Sequence, residues 1–81
     1  MSDSIDDRMK RVFCEVLHIS PDIYSEELSA GDIQEWDSLG HVNLLQAVED
    51  EFNIAFDVTD ALELESVKDF LLLVKRYLGE E

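Results

Sequence analysis

The sequence predicts an all-α fold, a small four-helix bundle with a long first loop and a short third helix. Three observations carry this. Apolar residues recur at three- and four-residue spacing in separate stretches, no stretch alternates apolar with polar residues as a strand would, and residues suited to helix caps head each stretch. At 81 residues, the chain 1–81 is expected to form one domain with a modest core and little room for an enclosed active site.

The first helix is expected from about Ser4 to Leu17. Ser2, Asp3 and Ser4 are candidate caps, Asp6 and Asp7 suit the positive end of the helix dipole, and Ile5, Met9, Val12, Phe13 and Val16 share a face. Pro21 bars its continuation, and His18 is placed at its end. Residues 18–37 then form an unusually long connection. Ile19, Ile23, Leu28, Ile33 and Trp36 recur along it, which predicts an ordered loop pinned to the helices, with a turn at Ser25–Leu28 and a bend at Gly31.

The second helix is expected from Ser38 to Phe52. Leu39, Val42, Leu45, Val48 and Phe52 are read as its buried stripe, broadened by Leu44 and Ala47, with His41 facing solvent. Asn53 ends it. Asp57 could cap a short third helix over Val58 to Leu62. Ser66 opens the last helix at capping-box spacing from Asp69, and Val67, Phe70, Leu71, Val74, Tyr77 and Leu78 form its inner face, with Leu72 and Leu73 as further core. Gly79 ends it.

Charge narrows the function. Six basic residues against twenty acidic ones leave a net charge of −14, which repels nucleic acid and anionic membranes and favours partners with basic patches. The single cysteine, Cys14, excludes an intramolecular disulfide and fits a reducing cytoplasm as a structural thiol. The acidic N-terminal segment lacks an apolar signal core, and no apolar run approaches the ~18 residues of a membrane span.

Catalytic sets are hard to find. Ser38 and His41, three apart, could share a helix face, but a hydrolase also needs an oxyanion site, and the Gly-x-Ser-x-Gly elbow is absent. Asp32, Glu35 and Asp37 do not keep calcium-loop spacing, two separate histidines make no transition-metal site, and no phosphate-binding glycine loop is present, so no metal or catalytic residues are assigned. Ser38 has two remaining readings. One is a plain helix cap. The other is an attachment point, since a phosphodiester formed there would meet free backbone N–H groups and the positive end of a helix dipole. Gly40, next but one, is read as keeping the first turn slim for a bulky partner.

The long first loop, Asp37-Ser38-Leu39 at the head of the second helix, Glu49-Asp50-Glu51-Phe52 near its end, the short third helix and the final amphipathic helix together resemble the acyl carrier proteins over nearly the whole chain. The resemblance implies a non-catalytic, monomeric, cytoplasmic carrier whose Ser38 receives phosphopantetheine from coenzyme A through a phosphopantetheinyl transferase. The arm then holds acyl or aminoacyl groups as thioesters for loading and processing enzymes. It further implies docking of basic partner patches at Asp37, Leu39, Glu49, Asp50 and Glu51. Gly40 and Asn43 stand where the fatty-acid carriers usually have acidic residues, so the Trp36–Leu44 segment looks more like discrete carriers of polyketide, nonribosomal peptide or polysaccharide-linked routes. The alternative is an acidic helical interaction or cation-binding module with Ser38 unmodified.

Overall fold

The computed structural model describes residues 4–79. It contains four helices, α1 (Ile5–Leu17), α2 (Ser38–Phe52), α3 (Val58–Leu62) and α4 (Val67–Leu78). Each end has a local cause. The Ser4 hydroxyl accepts from Asp7 N–H at the head of α1, while the candidate caps Ser2 and Asp3 lie outside the described residues. His18 and Asn53 close α1 and α2 in the left-handed region, at φ 56° and 55°, each sending its backbone N–H back to the helix. Ser66 and Asp69 complete a reciprocal capping box at α4, and Gly79 ends that helix at φ 73°. Asp57 holds the cap position of α3, but its side chain makes no capping bond. Instead the Tyr77 hydroxyl accepts from Asp57 N–H and donates to the Asp60 carboxylate, tying α3 to α4.

The core centres on Phe13. Its ring meets Tyr24, Trp36 and Phe70 at centroid distances of 5.6, 5.2 and 5.2 Å, all edge-on, the geometry that aromatic quadrupoles favour. Met9, Leu44, Val48, Val67 and Val74 complete a fully buried interior. Arg8 staples α1 to the end of α2. Its guanidinium bonds the Glu51 carboxylate at 2.8 Å and the Glu51 carbonyl at 2.6 Å, and lies 4.5 Å from the Phe52 ring centre. No basic residue stands in the last turn of α2, so Arg8 supplies the positive charge that the helix's negative end favours.

The stripe expected on α2 is rotated. Leu39 and Val42 are 69% and 57% exposed, Leu45 is half-buried, and the inward line is Gly40, Leu44, Val48 and Phe52. The four-residue steps of that line keep it facing α1, whereas the expected line began one residue early. On α4, Leu73 is core as expected, but Leu72 is 56% exposed and Leu78 lies near the surface.

The long loop is ordered. Ile19, Leu28 and Trp36 are buried and Ile33 half-buried, while Ile23 is exposed because it sits on the turn that follows Pro21. Leu28 N–H bonds to Ser25 C=O, closing the expected turn. Beyond it the loop backbone pairs with the approach to α4. Ala30 N–H donates to Glu65 C=O at 2.8 Å, Val67 N–H to Leu28 C=O at 2.9 Å, and Lys68 N–H to Glu26 C=O at 3.2 Å. Among the described residues no helix is long and apolar enough to cross a membrane.

Candidate functional site

The end of the loop is a small hydrogen-bonded unit that delivers the chain to α2. Asp32 accepts from Ser29 N–H through its carboxylate, Asp32 N–H donates to Ser29 C=O, Trp36 N–H to Ile33 C=O, and Gly31 N–H to Trp36 C=O. Gly31 takes φ 91° to close this ring of bonds, a conformation that disfavours any side chain. The unit carries Trp36 into the core.

Asp37, not Ser38, caps α2. Its carboxylate accepts from Gly40 N–H at 2.8 Å, and its carbonyl accepts from His41 N–H. Ser38 is therefore the first residue inside the helix, exposed, with no hydrogen bond to its hydroxyl among the described residues. Its own N–H and that of Leu39 are also unbonded, so three donors stand open at the positive end of α2. The plain-cap reading of Ser38 gives way because its charged neighbour Asp37 takes that bond.

Gly40 has a different role from the one expected. It is buried against the loop, and a Cβ placed there would lie 2.5 Å from the Glu35 carbonyl oxygen. Its slimness lets the loop close on the helix, rather than letting a partner approach.

His41 is half-buried, not fully solvent-facing. Trp36 Nε1–H donates to His41 Nδ1 at 3.0 Å, the two rings lie nearly parallel, 16° apart with centroids 6.1 Å apart, and the imidazole meets the Phe70 ring edge-on at 5.9 Å. Burial holds the imidazole below its ordinary pKa. Trp36 and His41 flank the Asp37 cap at the positions of a hydrophobic staple, so the signal for this pair lay in their spacing about the cap. Ser38 makes no hydrogen bond to His41, and the imidazole nitrogen that could serve as base is occupied by the indole.

Ala30, Gly31, Trp36, Asp37, Ser38, His41 and Leu64 line an open groove of about 510 Å³. A second hollow of about 640 Å³ lies between α3 and α4, away from the serine, between Asp60 and Leu72. The acidic residues toward the end of α2 differ in availability. Asp50 is exposed, the Glu49 carboxylate accepts from Phe56 N–H at 2.7 Å, and Glu51 is held by Arg8. Burial raises the Cys14 thiol above its ordinary value, in keeping with an inert side chain. No three metal-ligating side chains gather among the described residues.

A long arm joined through a phosphodiester fits these residues: an unbonded exposed hydroxyl, open backbone donors beside it, and an adjoining groove. Residues 7–74 match the family described as "Phosphopantetheine attachment site". The fold is similar to the solution NMR structure of a holo acyl carrier protein from Geobacter metallireducens, with a TM-score of 0.80 and 33% sequence identity, covering 90% of this chain and 84% of that one. Domains of this family carry phosphopantetheine covalently and work with a phosphopantetheinyl transferase and partner enzymes. With site geometry, family match and fold in agreement, the chain belongs to the phosphopantetheine-attachment family, as an acyl-carrier-protein-like domain.

Proposed function

We infer that Ser38 is the attachment residue of this carrier, and that residues 1–81 act as one non-catalytic, monomeric, cytoplasmic domain. The observation that supports it most is the division of labour at the head of α2, where Asp37 makes the cap and leaves the Ser38 hydroxyl exposed and unbonded. On attachment, Ser38 Oγ becomes bonded to phosphorus, its proton leaves, and coenzyme A releases its nucleotide part. The arm supplies a terminal thiol that holds acyl or aminoacyl groups as thioesters. This chain's own residues present the serine, offer N–H donors to the phosphate, and present a surface to partners.

Basic partner patches dock at Asp37, Leu39, Glu49, Asp50 and Glu51. Exposed Leu39 and Asp50 support direct contact. Glu49 and Glu51, whose carboxylates are engaged within the chain, add mainly to the field. Gly40, His41 and Asn43 favour a specialised polyketide, nonribosomal peptide or polysaccharide-linked route over housekeeping fatty-acid synthesis.

The test is an intact mass after incubation with coenzyme A, magnesium and a broad-specificity phosphopantetheinyl transferase. The chain is expected to gain one phosphopantetheine and Ser38→Ala none. Gain by the variant would remove Ser38 from the site, and no gain by the parent with several transferases would favour an unmodified acidic interaction module.

A further inference from the structure

We propose that His41 positions the carrier arm, its Nε2–H donating a hydrogen bond to the phosphodiester held on Ser38. The inference rests on the reading of Ser38 as the attachment residue. It adds a third donor, from a side chain, to the backbone N–H groups of Ser38 and Leu39.

Tryptophan can only donate, so the 3.0 Å bond from Trp36 Nε1 makes His41 Nδ1 an acceptor. A neutral imidazole has one ring proton, and it must then be on Nε2. The ring is fixed as well as the tautomer, hydrogen-bonded beside the nearly parallel Trp36 indole and in T-shaped contact with Phe70. Both partners are wholly buried, so the ring is held by rigid neighbours.

Among the described residues Nε2 has no hydrogen-bond partner. Among the described residues the only buried side-chain polar atom without a partner is the Tyr24 hydroxyl, so Nε2 reaches the surface. His41 and Ser38 line the same groove, one helical turn apart on α2. A donor fixed in direction, neutral and unsatisfied, therefore shares the groove with the hydroxyl that takes the phosphate. Asp37 is the other titratable residue lining that groove, and its carboxylate is engaged by Gly40 N–H. Phe70 and Trp36, the rings packed on His41, bring no charge. A phosphodiester anion next to Asp37 is repelled by it, and a donor opposite would settle the arm along the Trp36 side of the groove.

Phosphorus NMR of the holo-protein tests this. A phosphodiester does not titrate between about pH 5 and 8, a window above the ordinary carboxylate range, so a step in its shift there reports a neighbouring imidazole. The holo-protein is expected to show such a step, His41→Gln to lose it and His18→Gln to keep it. A measurement without substitution accompanies it: the His41 Nε2–H resonance should move between the apo and holo forms while that of His18 stays in place. A holo-protein confirmed by mass with a flat phosphorus shift, a step that survives His41→Gln, or an unmoved His41 resonance would overturn the proposal while leaving the carrier reading intact. A chain that never takes the arm would overturn both.

Discussion

Replacing Gly40 with alanine sets two physical effects against each other. Helix propensity favours alanine by at most about 1 kcal/mol. Sterics oppose it, because the new Cβ would lie 2.5 Å from the Glu35 carbonyl oxygen, 3.1 Å from Leu17 Cδ2 and 3.3 Å from Asp37 Oδ1. Ordinary carbon–oxygen contacts begin at about 3.3 Å, so the loop must retreat by about 0.8 Å. The obstructing atom is backbone, in a segment whose end is tied by the Gly31–Trp36 bond, and it cannot swing aside as a side-chain tip would. Overpacking of this kind costs about 1–3 kcal/mol, here toward the upper half. The net expectation is a loss of about 1–2 kcal/mol, or a fall in Tm of roughly 5–15 °C for a domain of this size. Urea unfolding followed by circular dichroism measures the loss, and the emission of the single tryptophan, Trp36, reports whether the loop has lifted. An alanine variant as stable as the parent or more so would refute the steric account and leave propensity as the controlling effect.

Three further outcomes follow from the same geometry. Arg8→Lys keeps the charge but loses the forked contact with Glu51, and urea unfolding should register a loss of about 1 kcal/mol. His41 gives stability a pH dependence of definite sign. Burial holds its folded-state pKa below the ordinary value of about 6.5, so its contribution is full above that value and fades as pH falls through the folded-state value. The difference between parent and His41→Gln should show that slope, and an identical pH profile would count against it. Asp50→Lys should slow reactions with a partner bearing a basic patch while sparing Tm, whereas Glu49→Lys should also lower Tm because it removes the bond to Phe56 N–H. Unchanged rates for Asp50→Lys would move docking elsewhere.

Much of the fold was legible because caps are local. Ser4, Asn53, Ser66 with Asp69, and Gly79 each mark an end through chemistry contained within a few residues. The face of α2 was less legible. Apolar residues surround much of that helix, and the residue that turns it inward, Gly40, has no side chain to register in a hydropathy pattern. Asp37 and Ser38 are both good caps, and sequence alone does not say which takes the position. His41 looked like a surface residue because its partners, Trp36 and Phe70, come from the loop and from α4. The internal engagement of Glu49 and Glu51 was hidden for the same reason, since Phe56 and Arg8 meet them only in the folded chain.

The three backbone bonds that join residues 26–30 to 65–68 have a consequence for the order in which this protein becomes competent. Ser38 leaves the ribosome well before Val67 does, yet the loop that presents it is anchored on the approach to α4, and Trp36 beneath it packs on Phe70. The native presentation of the serine therefore waits for nearly the whole chain. An interrupted or truncated product that ends before Val67 lacks the backbone bonds and the Phe70 contact that order the loop ahead of Ser38.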